Sequence, residues 1–308
     1  MDLADLFPGF DAKTFDTGEV KIFCRIGGRE DAPPLVCLHG FPETHVMWAK
    51  IAPALAERFR VILPDLRGYG WSSVPEVEPD HAQMSKRAMA RDVVALMEEL
   101  GHARFALVGH DRGARVGYRL ALDHPGRLTR LALLDIVPTS AMWARMDAGF
   151  AMKTYHWLFL AQPAPMPERL ISRGPVEWLE HTLASWTKAR DLSPFGRKAL
   201  AHYRAFFSVP ERLAATCEDY RAGATIDRAL DEADLAGSRR IDVPTLVLWG
   251  AAGIPAGPTG SDPEVGPLAA WRPFMAAGTP LTGDGIDGGH FIAEEAPEAT
   301  AAKLLAFL

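Results

Sequence analysis

A chain of 308 residues, 48% hydrophobic and 23% charged, carries enough apolar mass for a full core without disulfides or a structural metal. Its formal net charge of −6 gives no reason to expect nucleic acid or an anionic membrane as partner, so any anion site must be built locally. No apolar run reaches the roughly 18 residues of a membrane span, and the opening Met1-Asp2-Leu3-Ala4-Asp5 is acidic where a signal peptide is basic. With three cysteines (Cys24, Cys37 and Cys217) in no metal-binding spacing, a cytoplasmic protein with reduced, buried thiols is expected.

Short β-rich apolar runs at 35–38, 61–63, 105–108, 131–135 and 245–249 read as strands covered on both faces. Between them, 86–100 places Met89, Val93, Leu96, Met97 and Leu100 at helical spacing and stops at Gly101. A second helix is expected over 113–122. This alternation predicts an α/β fold with a mostly parallel sheet flanked by helices. From 139 to 239 no strand pattern is visible and aromatic residues crowd in, which reads as an inserted helical cap. The expected organisation is core 1–138, cap 139–239 and core again 240–308. Residues 251–267, rich in Gly and Pro, read as an extended loop.

The strongest chemical signal is Val108-Gly109-His110-Asp111-Arg112-Gly113. A strand, a turn flanked by glycines and then a helix is the nucleophile elbow of α/β-hydrolases, G-x-S-x-G, with Asp in the place of Ser. Two segments precede it in the expected order: His39-Gly40-Phe41-Pro42 and Asp65-Leu66-Arg67-Gly68-Tyr69-Gly70-Trp71-Ser72. A carboxylate is ionised near neutral pH and can attack an sp³ carbon without a base. The resulting ester then needs activated water, hence a general base and oxyanion donors. The chain order of such folds makes His290, in Gly288-Gly289-His290-Phe291, the base. Asp135, closing a strand 24 residues after Asp111, is the acid expected to orient it; the alternative position after 245–250 offers no acid before Asp262. His39, His110 and Asp65 read as structural supports for these turns.

Arg112 and Arg115 follow Asp111 by one and four residues, in the first turn of a helix. Cations there oppose the helix dipole, so each wants an anion close by. That anion is either a substrate carboxylate, which guanidinium forks match well, or an acid of the protein itself.

Together these segments resemble the dehalogenase and epoxide-hydrolase branch of the α/β-hydrolases, over nearly the whole chain. The nearest resemblance is to fluoroacetate (haloacetate) dehalogenases. It rests on Gly109-His110-Asp111-Arg112-Gly113-Ala114-Arg115, Tyr155-His156-Trp157 and Cys217-Glu218-Asp219-Tyr220-Arg221. The resemblance implies that Arg112 and Arg115 hold the substrate carboxylate and that His156, Trp157 and Tyr220 bind the halide. It also implies backbone oxyanion donors at Phe41 and Arg112, no metal or organic cofactor, and a homodimer. From spacing alone the aromatic residues read as cap core; only the resemblance makes them halide ligands. Haloalkane dehalogenases and epoxide hydrolases carry Trp after the Asp, and this chain has Arg, which turns the expected substrate towards a small haloacid. An epoxide hydrolase using the same Asp, His and Asp with cap tyrosines (Tyr155, Tyr203 and Tyr220) is the alternative. A non-catalytic acid sensor is a further one, but it would have no use for the complete set Asp111, Asp135 and His290.

Overall fold

The computed structural model describes residues 3–255 and 266–308. Strands β1 (Asp11–Asp16), β2 (Lys21–Gly27), β3 (Pro34–Leu38), β4 (Arg60–Pro64), β5 (Phe105–His110), β6 (Leu128–Leu134), β7 (Thr245–Gly250) and β8 (Leu281–Ile286) form one sheet. Their spatial order is β1-β2-β4-β3-β5-β6-β7-β8. β1 and β2 run antiparallel, β2 joins β4 antiparallel, and every later pairing is parallel. All residues of β5 and β7 are buried, as continuous apolar runs in a doubly covered parallel sheet should be. β1, β2 and β8 have no such run. β1 is exposed nearly throughout, β2 alternates, and β8 (LTGDGI) holds two glycines and an acid, so a search for continuous apolar runs does not mark them.

Helices α1 (Ala52–Ala56), α2 (Lys86–Glu99) and α3 (Asp111–Asp123) lie between the first strands. α2 buries Met89, Val93, Leu96 and Met97, and the Ser85 hydroxyl caps it by accepting from the Ala88 N–H. α3 begins at Asp111 itself, two residues earlier than the 113–122 reading. The glycine at 113 lies inside its first turn and does not delay it.

Between β6 and β7 the chain makes eight helices: α4 (Thr139–Ala144), α5 (Ala148–Lys153), α6 (Tyr155–Leu160), α7 (Met166–Ile171), α8 (Pro175–Trp186), α9 (Arg197–Phe207), α10 (Pro210–Ala224) and α11 (Ile226–Ala236). Buried ion pairs tie this insertion to the sheet layer. Arg119 of α3 reaches Asp231 at 3.0 Å and Asp234 at 2.6 Å, and the Tyr118 hydroxyl donates to Asp231 at 2.9 Å. Of the 251–267 segment, residues 256–265 lie outside the described residues, and with them Asp262.

The sheet order reverses between β3 and β5, because β3 leads to β4 on one side and β5 lies on the other. The crevice beyond the carboxyl ends of these two strands is where such sheets place ligands. Phe41 follows β3, Asp111 follows β5 and Asp135 follows β6, so all three stand on that rim.

Candidate active site

Asp111 leaves β5 and opens α3 with φ at +44°, a left-handed conformation that costs a non-glycine residue on the order of 1–3 kcal/mol. Its flanking glycines are required by contact. A Cβ on Gly109 would lie 2.5 Å from Cα of Ala114, and one on Gly113 would lie 2.5 Å from the carbonyl oxygens of Leu38 and His39. The turn thrusts the carboxylate above the sheet, where the Phe41 N–H donates to Oδ1 at 3.0 Å. Burial alone would raise this carboxyl, but His290, Arg112, His110 and Arg115 outweigh it and hold Asp111 at about 2. Near neutrality it is a carboxylate.

Asp135 also has a left-handed backbone, with φ at +54°, immediately after β6. Its Oδ1 accepts from the Gly250 N–H at 2.8 Å, and its Oδ2 meets Nδ1 of His290 at 2.5 Å. A carboxylate only accepts, so the bond fixes the proton on Nδ1 and leaves the lone pair on Nε2. That Nε2 is buried without a protein partner, 3.9 Å from Oδ2 of Asp111 and therefore not bonded to it. His290 is further held by its N–H to the Trp186 carbonyl at 2.9 Å. Its carbonyl accepts from Nε2 of His110 at 2.9 Å, and the two rings lie 4.6 Å apart. His110 in turn meets Glu43 at 3.0 Å.

His39 joins two loops. Its Nδ1 donates to the Gly40 carbonyl at 2.9 Å, and its Nε2 accepts from the Leu66 N–H at 3.0 Å. Asp65 fixes the next turn by accepting from the N–H groups of Trp71 and His45, each at 2.8 Å.

The two arginines differ. Arg112 is clasped by a protein acid: its Nε and Nη2 reach the Asp219 carboxylate at 3.0 and 2.5 Å, and Nη2 also meets the Asp219 carbonyl at 2.7 Å. The anion that its place in the helix demands is thus supplied, in part, from α10. Nη1 of Arg112 stays buried without a partner. Among the described residues Arg115 bonds no acid; Nη1 donates to the Val137 carbonyl at 3.1 Å and to the Thr139 hydroxyl at 3.0 Å, and Nε has no partner there. Its guanidinium stacks 4.6 Å from the Trp157 ring, and that of Arg112 stacks 4.3 Å from the Tyr220 ring.

His156 and Trp157 come from α6 and Tyr220 from α10, all buried, with ring separations of 5.9 and 6.1 Å from Tyr220 to the other two. Burial pushes His156 down to about 3, against the attraction of Asp111, so the ring is neutral and has one N–H to offer. Its Nδ1 has no partner. Burial also raises the Tyr220 hydroxyl well above its ordinary value, which keeps it a donor.

A tight inner chamber of about 20 Å³ is lined by Asp111, Arg115, Asp135, His156, Trp157 and His290, among others. Trp186, Ile254, Pro255 and His290 also border an outer vestibule of about 940 Å³, so the two spaces share a wall. Among the described residues, no cluster of three His, Cys, Asp or Glu side chains could hold a metal ion. Sequence reading missed Trp186, whose ring lies 4.3 Å from His156 and 5.4 Å edge-on to His290. It gave no role to Glu43, Lys86 or Asp219. Trp186 was visible only as one of many aromatic residues in the insertion, and the acids gain meaning only from partners far away in sequence.

The sequence profile of the alpha/beta hydrolase fold matches residues 33–297. The chain is 43% identical over 303 residues to a fluoroacetate dehalogenase from Burkholderia sp, covering 98% of this chain and 95% of that one. It is 29% identical to a soluble epoxide hydrolase from Corynebacterium sp. (strain C12), covering 89% of each. A crystal structure from Nostoc sp PCC 7120, ascribed to the α/β hydrolases, superposes with a TM-score of 0.88 at 47% identity over 97% of both chains.

Proposed function

This chain belongs to the α/β-hydrolase fold family and, within it, to the fluoroacetate dehalogenases, and we propose that it hydrolyses 2-haloacetates such as fluoroacetate and chloroacetate to glycolate and halide. It is a hydrolase acting on carbon–halide bonds. The observation that carries the choice of substrate is the buried N–H of Arg115 Nε and of Arg112 Nη1, unpartnered and close to an ionised Asp111. A carboxylate held there by two guanidiniums presents its C2 carbon to the nucleophile.

Oδ1 of Asp111 is occupied by the Phe41 amide, which leaves Oδ2 for in-line attack on C2. The carbon–halide bond breaks as the carbon–oxygen bond forms, and the halide departs towards His156, Trp157 and Tyr220, whose N–H and O–H groups replace its water shell. The product of this step is a glycolyl ester of Asp111. His290, oriented by Asp135, then takes a proton from water through Nε2, and the hydroxide adds to the ester carbonyl. The negative charge that develops on Oδ1 falls where the Phe41 amide already points, with the Arg112 amide at the start of α3 as second donor. Collapse breaks the bond to the glycolate oxygen, which takes the proton back from His290, and Asp111 releases one proton to return to the carboxylate.

The epoxide-hydrolase reading needs tyrosine hydroxyls over the nucleophile. Tyr203 is committed to Glu294 at 3.1 Å and Tyr155 lies at the outer vestibule, which leaves Tyr220 alone beside Arg112. Exposed apolar side chains on the insertion (Met152, Tyr155, Leu158, Met166, Leu170 and Val176) support a homodimer. Three buried, unpaired cysteines support residence in the cytoplasm, and no helix among the described residues is long and apolar enough to cross a membrane.

The test is a halide-release assay with fluoroacetate, chloroacetate and 1-chlorobutane, run beside styrene oxide hydrolysis, for the wild type, Arg112→Ala and Arg115→Ala. Halide release from the acids should exceed that from chlorobutane by at least about 100-fold, and both variants should lose that preference. Faster turnover of the epoxide would overturn the proposal.

A further inference from the structure

Three buried ionisable groups next to the site have no part in the chemistry above. Asp219 of α10 accepts from Nε and Nη2 of Arg112, from the Tyr69 hydroxyl at 2.8 Å, and from the Lys86 ammonium at the start of α2. Lys86 also lies 3.9 Å from Asp227, whose other oxygen accepts the Lys86 N–H at 2.8 Å. All of these side chains are almost fully buried. A lone Asp219 would neutralise Arg112 and compete with any ligand anion for it. Here Asp219 is shared between two cations, and its two oxygens are fully engaged by Arg112, Lys86 and Tyr69. The contact also fixes which atoms of Arg112 stay free: Nε and Nη2 are consumed, and only Nη1 is left. Gly223, one turn after Asp219, supports the same placement, because a Cβ there would lie 3.1 Å from Nη2 of Arg112.

We propose that Asp219 and Lys86 are positioning residues for carboxylate recognition: Asp219 aims Nη1 of Arg112 at the substrate, and Lys86 offsets the Asp219 charge so that Arg112 still attracts an anion. The inference rests on the haloacetate reading and adds to it a specificity device built from α2 and α10 behind Arg112.

The experiment measures kcat and KM for chloroacetate and the inhibition constant of acetate in the wild type, Asp219→Asn, Lys86→Met and Lys86→Arg, with thermal unfolding of each. In Asp219→Asn and Lys86→Met, KM and the acetate constant should rise together by about tenfold or more, with kcat within about threefold; Lys86→Arg should recover most of the loss. Lys86→Met carries the test should Asp219→Asn fail to fold. A merely structural role predicts lower thermal stability or lower kcat with KM and acetate binding unchanged, and that result would overturn the proposal. Wild-type protein that releases no halide from chloroacetate would instead remove the haloacetate reading beneath it.

Discussion

The sheet rim and the helical insertion face each other across the chamber, and they are built on different terms. On the rim, Asp111, Asp135 and His290 are held through specified atoms: Asp111 by the Phe41 amide, Asp135 by the Gly250 amide, and His290 through its ring nitrogen, amide and carbonyl. On the insertion, His156 keeps an unbonded ring nitrogen, and its contacts with Trp186 and Tyr220 are aromatic packing. Such directional bonding is what the proposed covalent step needs, since its atoms must be held to a fraction of an ångström. The insertion keeps polar groups unspent because its task, as proposed, is to receive an ion that arrives and leaves.

That contrast predicts a graded set of losses. Asp111→Asn should abolish turnover, by on the order of 10⁴-fold or more, because no neighbour can replace an ionised carboxylate as nucleophile. His290→Gln should instead release one halide per active site and stop, with the ester retained on Asp111 and visible by mass spectrometry. A His290→Gln protein that turns over steadily would break the division between the two steps. Asp135→Asn should leave the geometry but misplace the imidazole proton, costing about 10³–10⁴-fold in kcat.

On the insertion side the effects should be smaller and of another kind. His156 falls from an ordinary value near 6.5 to about 3 in the folded protein, so folding favours the neutral ring. The stability this represents is complete above the unfolded value and is lost as pH falls from 6.5 towards 3, by up to about 5 kcal/mol. Urea unfolding of the wild type should therefore weaken across that window, and His156→Gln should flatten the dependence. Equal slopes for the two proteins would show that the ring is not buried neutral. Trp157→Phe and Tyr220→Phe each remove one proposed halide donor and should lower kcat by about 10–100-fold, more for fluoroacetate than for chloroacetate because fluoride depends most on hydrogen bonds. Equal losses on both substrates would make these rings packing and no more.

Much of the rim is legible in local sequence. Gly109 and Gly113 bracket a residue that must turn sharply, the run before it is wholly apolar, and Asp135 closes the neighbouring strand. These are short-range patterns with a direct steric cause. The edge strands β1 and β8, and β2 beside the edge, were not legible, because exposure, alternation and glycines break up the apolar runs that mark central strands. The partner of Arg112 was not legible either. Helix position shows that a first-turn arginine wants an anion, but Asp219 lies 107 residues away, and only the packing of α10 on α3 brings them together. Trp186 joins His156 and His290 for the same reason, through tertiary contact that no local spacing encodes.

The central claim is that water oxygen enters the protein before it enters the product. A single turnover of chloroacetate in ¹⁸O-water, with enzyme in excess, tests it directly. The account predicts glycolate whose hydroxyl oxygen is unlabelled and a peptide in which Asp111 carries the label. Labelled glycolate hydroxyl and an unlabelled Asp111 after that first turnover would contradict it.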